Sequence, residues 1–251
     1  MTNQPTVAEP LKPRALIVSV EKFWPHSPLD NRSGAATDTK KLHRILYKLG
    51  FQVELSIDLA ASEILQLYRA ESQRRHGTCF LSVLSSHGDE GVLYGADSKA
   101  VSLRDIYSMF GAETCPSLEG KPKIFFIQAC RGPETDSGVT VDMVETDSCD
   151  PRTDSFSHYL ALPLDMAVHF SSCPDYGSFL RPSGSAFLQS LCQVLEGEQR
   201  HWELLRIMTR VNGLVAQGFE ARGLIYVGKK QMPCFISRLR HEVYPFSGKL
   251  S

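Results

Sequence analysis

Short apolar runs alternate with amphipathic stretches along most of this chain, and that alternation limits the folds open to it. Residues 15–20, 79–84 and 124–128 read as buried strands, and 51–57 alternates apolar with polar residues as a further strand. Between the first and second of these, Leu42, Ile45, Leu46 and Leu49 fall on one face at helical spacing, and Gly50 stands where such a helix stops. Residues 62–71 carry Ile64, Leu65, Leu67 and Tyr68 as an apolar side, and a short hairpin near Tyr94-Gly95 and a helix over 103–110 follow. After an interruption, 166–171 reads as a strand, 185–195 and 202–217 as helices, and 232–236 as a last strand. In the longer helix, Leu204, Ile207, Met208, Val211 and Val215 form a stripe that is read as core. Strands and helices in this order predict an α/β domain: a central, mostly parallel six-stranded sheet with helices on both faces. The working residues of such sheets gather at the carboxyl ends of the strands.

Two strand ends carry chemistry. The run Ile124-Phe125-Phe126-Ile127 leads into Gln128-Ala129-Cys130-Arg131-Gly132, and the run 81–84 leads into Ser85-Ser86-His87-Gly88. A cysteine after an apolar strand is commonly a small buried hydrophobe, and a histidine before glycine a turn residue. Five matched residues, the strand context and an upstream histidine together favour a nucleophile and its base. A thiol ionises near neutral pH, and an adjacent imidazole takes its proton during attack.

Other chemistries fit poorly. A net charge of −1 gives no electrostatic case for nucleic acid or anionic membrane. No stretch approaches the roughly 18 apolar residues of a membrane span. None of the seven cysteines forms a C-x-x-C pair, and several lie in apolar runs, so free thiols in a reducing compartment are expected, with no zinc site. The cluster His87, Asp89, Glu90 lacks further ligands at metal spacing, and no metal or cofactor is expected there. Gly223–Lys229 matches most of a phosphate-binding loop, but Lys230 stands where that loop needs Ser or Thr, and a strand-like stretch follows in place of a helix.

The chain divides into an N-terminal segment, 1–14, expected to be disordered; a first part, 15–132; an acidic, apolar-poor segment, 133–157; and a second part of the same domain, 158–251. A structureless insert of such length inside a compact domain is usually functional.

With these residues in place, the chain resembles the caspases, cysteine proteases that cut after aspartate. The likeness runs from about Pro13 to Phe246 and is carried by Arg32-Ser33-Gly34, Ser86-His87-Gly88-Asp89-Glu90-Gly91, Gly120-Lys121-Pro122-Lys123, Gln128–Gly132, Thr209-Arg210-Val211-Asn212 and Lys230-Gln231-Met232-Pro233-Cys234. A short N-terminus without a death-fold prodomain resembles the executioner branch. The resemblance implies Cys130 as nucleophile, His87 as general acid/base oriented by the Asp30 carbonyl, and the N–H groups of Gly88 and Cys130 as oxyanion hole. It implies Arg32, Gln128, Ser178, Phe179 and Arg181 as substrate-binding residues. It further implies protein substrates with exposed aspartates, a cytoplasmic zymogen cut by an upstream initiator caspase after Asp147 or, second, Asp136, and a dimer of processed heterodimers paired through the last strand.

One loop departs from the family. Executioners read Tyr-Tyr-Ser-Trp-Arg where this chain has Tyr176-Gly177-Ser178-Phe179-Leu180-Arg181. The pocket arginine falls on Leu180, and Ala186 replaces a second tryptophan. Arg181 reaches the pocket only if the loop bulges by one residue near Gly177. Two functions stay open: an aspartate-directed endopeptidase, or a catalytically weak homologue that binds and regulates active caspases.

Overall fold

A computed structural model describes residues 11–136, 162–222 and 226–248. Its centre is a six-stranded sheet. The strands β1 (Arg14–Ser19), β2 (Gln52–Ile57), β3 (Phe80–Ser85), β7 (Lys123–Gln128), β8 (Met166–Phe170) and β11 (Cys234–Ser237) lie in the order β11-β8-β7-β3-β1-β2. All pairs are parallel except β8–β11 at one edge. The strands before and after the acidic segment are neighbours in this sheet, so the two parts share one core.

The central strands β1, β3, β7 and β8 are buried along their whole length, which is why they read as unbroken apolar runs. Edge strand β2 is half-buried, and its sequence alternates polar with apolar residues. Helices α1 (Ala35–Lys48), α4 (Ala186–Glu196) and α5 (Leu204–Gly218) cover one face, where Leu42, Leu46, Leu191, Ile207 and Met208 pack over the sheet. Helices α2 (Ala61–Ser72) and α3 (Leu103–Ser108) cover the other, with Ile64, Tyr68, Ile106 and Phe110. Burying each such side chain contributes about 1.5–3 kcal/mol.

Local chemistry sets the ends of these elements. Gly50 adopts φ +88° and turns the chain out of α1 into β2. Ser185 caps α4 by accepting from Leu188 N–H at 3.1 Å. Glu203 caps α5 through Leu205 N–H, so Trp202 lies outside the helix expected from 202. The last strand starts at Cys234, two residues later than expected, because Pro233 has no N–H to give to a ladder. The expected hairpin is a three-stranded meander of β4 (Gly88–Asp89), β5 (Val92–Tyr94) and β6 (Ala100–Ser102).

One buried carboxylate joins the two parts of the chain. Asp38 on α1 accepts from Ser185 N–H at 2.8 Å and Gln189 Nε2 at 2.6 Å. Ser185 belongs to a short hairpin of β9 (Leu180–Arg181) and β10 (Gly184–Ser185). Gly34, just before α1, has φ +103°, and a Cβ there would collide with the Arg181 carbonyl. The loop that departs from the family therefore rests against the turn that carries Arg32.

Candidate active site

Register brings His87 and Cys130 together. β3 and β7 are adjacent and parallel, with Ser85 opposite Gln128. His87 and Cys130 each lie two residues beyond that pair, at the same end of neighbouring strands. The ladder continues past the strand ends through Ser86 N–H to Gln128 O at 3.2 Å. Both residues line one cleft of about 320 Å³, together with Asn31, Arg32, Ser33, Ser86, Gln128, Ser178, Leu180 and Pro182.

The imidazole is fixed. His87 Nε2–H donates to Asp30 O at 2.8 Å, which leaves Nδ1 as the basic nitrogen of the neutral ring. Phe23 packs against the ring at 5.3 Å between centroids. Burial, and after it the charge of Arg32, lower the His87 pKa from its ordinary value, against the opposing pull of the Asp30 carbonyl. The ring is therefore neutral, and a base, at neutral pH. Gly88 lies on the main chain of 129–130: a Cβ there would stand 2.9 Å from Ala129 Cβ and 3.1 Å from Cys130 O.

The expected carboxylate-binding groups converge on the same cleft. Arg32 is 7% exposed and donates to Val20 O at 2.8 Å and Ser85 Oγ at 3.0 Å. Burial lowers its pKa to about 10, so it stays charged at neutral pH. Gln128 donates through Nε2 to Ser178 Oγ at 2.8 Å. Ser178 also lies on the thiol: its N–H donates to Cys130 Sγ at 3.3 Å, and Cys130 Sγ–H donates to Ser178 O at 3.5 Å.

Arg181 and Phe179 lie elsewhere. Gly177 has no left-handed backbone, and β9 pairs regularly with β10, so no bulge shifts the side chains. Leu180 consequently faces the cleft. Arg181 points the other way, stacking over the Phe219 ring at 4.7 Å and donating to Glu220 O. The expectation that Arg181 reaches the pocket is corrected by strand alternation. Phe179 packs on Phe219 and Tyr226, with ring centroids 5.2 and 5.8 Å away, and its N–H donates to Gln231 Oε1 at 3.0 Å.

Support for the turn at Cys130 comes from a member of the cluster His87, Asp89, Glu90. Glu90 holds the buried Arg131 with two hydrogen bonds, at 3.0 and 3.1 Å. Arg131 also donates to Ser172 O at 3.1 Å and stacks over Phe170 at 4.2 Å. Its N–H donates to Tyr176 O, and its carbonyl accepts from Asp175 N–H, both at 3.0 Å. Gly132 fits because a Cβ would strike the Asp175 backbone. Asn31, Ser33, Ser86 and Pro182 also line the cleft without a role assigned to them from the sequence; no local pattern marks such residues for that place.

Among the described residues no group of His, Cys, Asp and Glu side chains is arranged to hold a metal, and no helix is long and apolar enough to cross a membrane. Cys79, Cys115, Cys130, Cys173, Cys192 and Cys234 are free thiols. Asp136 bridges to Lys230 through a 2.8 Å backbone hydrogen bond. Asp147 and residues 223–225 of the phosphate-loop match lie outside the described residues.

Comparison with known proteins agrees with this geometry. Residues 12–244 match the family model described as the caspase domain. The chain is 35% identical to Caspase-7 of Gallus gallus over 242 residues, covering 92% of this chain and 76% of the relative. It is 37% identical to Caspase-3 of Mesocricetus auratus over 234 residues and 38% identical to Caspase-3 of Mus musculus over 236, each covering 91% of this chain and 82% of the relative. With a six-stranded sheet whose neighbouring strand ends present His87 and Cys130, the chain belongs to the caspase family, on its executioner-like side.

Proposed function

We propose that this protein is a cysteine endopeptidase that cuts after aspartate, made as a zymogen and acting in apoptosis-type signalling in the cytoplasm. The observation that carries the reading is the matched placement of His87 and Cys130 in one cleft beside the buried guanidinium of Arg32. Cys130 Sγ attacks the scissile carbonyl carbon as its proton passes to His87. The C–S bond forms, and the carbonyl electron pair moves onto oxygen, where the N–H groups of Gly88 and Cys130 receive it. His87 then protonates the amine as the C–N bond breaks. Water, deprotonated by the same imidazole, hydrolyses the thioester. Arg32 and Gln128 take the aspartate carboxylate, the guanidinium being suited to it by charge and by its planar donors.

In the uncut chain, Ser178 rests on both Cys130 and Gln128, so substrate must displace it. An initiator caspase cutting after Asp147 would sever the segment 133–157 and let this loop move, with Asp136 as the second site. The parts 15–132 and 158–251 then stay together as large- and small-subunit-like pieces, and two such units pair through β11. Asp147→Ala should block maturation, and normal processing of that variant would disprove the site.

A second reading is favoured by Leu180, which stands at the cleft in the place of the family's arginine. In it the protein is a catalytically weak homologue that binds and regulates active caspases. Hydrolysis of a tetrapeptide-aspartate substrate by the processed protein, absent in Cys130→Ala, supports the enzyme. Equal residual turnover in both supports the binder.

A further inference from the structure

Cys173 and Cys234 lie on facing segments beside Arg131, the residue after the catalytic thiol. Cys234 opens β11 opposite Phe170. Cys173 follows the bend at Ser171-Ser172 that turns the chain at the end of β8. The two thiols lie close enough to shift each other's acidity. Each also reaches across to the other's strand: Cys173 Sγ–H to Met232 O at 3.4 Å, Cys234 Sγ–H to Ser172 O at 3.6 Å. Arg131, the residue after the nucleophile, donates to Cys234 Sγ at 3.1 Å.

We propose that Cys173 and Cys234 are a dithiol closed by peroxide into an intrachain disulfide, and that its redox state controls how the loop 173–178 sits on Cys130.

Three observations single out this pair. It is the juxtaposed pair of thiols among the described cysteines, so a bridge can close without distant segments meeting. Cys173 is half-exposed and so open to an oxidant, whereas Cys79, Cys115 and Cys192 are buried. Cys173 is also activated: the neighbouring Cys234 thiol lowers it to about 7, and the charge of Arg131 adds to this against burial. Cys234 is raised by its neighbour Cys173 and by burial, so it remains the proton-bearing partner. By contrast, burial pushes Cys79 and Cys192 up to about 12.

The chemistry balances. The Cys173 thiolate attacks one peroxide oxygen; the S–O bond forms, the O–O bond breaks, and the other oxygen leaves and is protonated to water or an alcohol. Cys234 sulfur then attacks the sulfenic sulfur; the S–S bond forms, the S–O bond breaks, and hydroxide leaves with the Cys234 proton as water. Two thiols lose two electrons and the peroxide gains them. An external dithiol reverses the step by exchange.

The bridge acts on the active site through a short path. The turn from Cys173 is closed by Tyr176 N–H on Cys173 O at 3.2 Å, and Tyr176 O holds Arg131 N–H at 3.0 Å. Two residues further, Ser178 holds the catalytic sulfur. Drawing Cys173 toward Cys234 displaces the root of this turn and takes the Cys234 thiol from Arg131.

The test uses the full chain as Cys130→Ser, so that the catalytic sulfur does not compete. After treatment with hydrogen peroxide and alkylation of free thiols, peptide mapping should recover a Cys173–Cys234 linked peptide. Its yield should be independent of protein concentration, the chain should run as a single chain on a non-reducing gel, and dithiothreitol should reverse the link. Hydrogen exchange over 173–180 should change several-fold on oxidation, and not in Cys173→Ser/Cys130→Ser. Recovery of Cys234 only in chain-to-chain links, or of both residues as free or singly oxidised thiols, overturns the dithiol. A link that forms with exchange over 173–180 unchanged overturns the control of the loop. Neither readout needs turnover, so the result stands apart from whether the enzyme is active.

Discussion

Placing an arginine at position 180 should strengthen aspartate recognition. Leu180 shares the cleft with Arg32 and Gln128, while the native Arg181 is engaged with Phe219 and the Glu220 carbonyl on the opposite side of β9. Arg32 already donates to Val20 O and Ser85 Oγ, which leaves only part of its donor set for a carboxylate with two oxygens. In Leu180→Arg a second guanidinium would meet the same carboxylate. A hydrogen bond between charged groups is worth roughly 1.5–3 kcal/mol, a gain of about ten- to a hundredfold in kcat/KM. Position 180 is half-buried, so solvent screening puts the expectation at the lower end. The assay compares tetrapeptide substrates ending in aspartate and asparagine. The charged one draws more from the new guanidinium than the neutral amide does, so the selectivity ratio should rise with kcat/KM. Arg181→Ala should leave that ratio unchanged, its cost being a stacking contact of about 0.5–1 kcal/mol in loop stability. An equal gain on both substrates, or loss of aspartate selectivity in Arg181→Ala, would refute the assignment of the two side chains.

The remaining predictions concern protonation and packing. Because burial and Arg32 lower the His87 pKa, the acidic limb of kcat/KM should lie below the ordinary histidine value of 6.5; a limb at or above it counts against the described environment. His87→Ala should reduce turnover by ~10²–10⁴. His169 is fully buried, bonded to Asn212 at 2.7 Å, and pushed by burial down to about 4. Between pH 6.5 and 4 the unfolded chain takes up a proton that the folded one refuses, so stability falls with pH across that window, by up to about 3 kcal/mol. His169→Gln should flatten this slope in urea titrations, and an undiminished slope would assign it elsewhere. Glu90→Ala removes the two-pronged partner of a buried guanidinium and should cost about 3 kcal/mol, together with slower alkylation of Cys130 as its turn loosens. Wild-type stability in that variant would show the pair to be dispensable.

Much of the fold was legible because burial imposes short periods on the sequence. Strands covered on both faces are unbroken apolar runs, and helices covered on one face repeat their apolar residues at helical spacing. Hence the order of elements, the sheet class and the placing of Cys130 and His87 at strand ends followed from local pattern and motif. Element boundaries followed less well, since caps and ladder donors such as Glu203 and Pro233 act one residue at a time.

Contacts between distant segments were closed to this reading. Spacing cannot say that Asp38 would accept from Ser185, or that Glu90 would pair with Arg131. Nor can it say that Ser178 would rest on the Cys130 sulfur, or that Cys173 and Cys234 would each reach the other's segment. The departure at Leu180-Arg181 was visible in the sequence, but its meaning depended on whether a bulge formed. Pairing of Leu180 with Ser185 and of Arg181 with Gly184 answers that, because a strand in regular register turns adjacent side chains to opposite faces. Periodicity is a property of one segment and its own burial, whereas register and facing arise only when two segments meet.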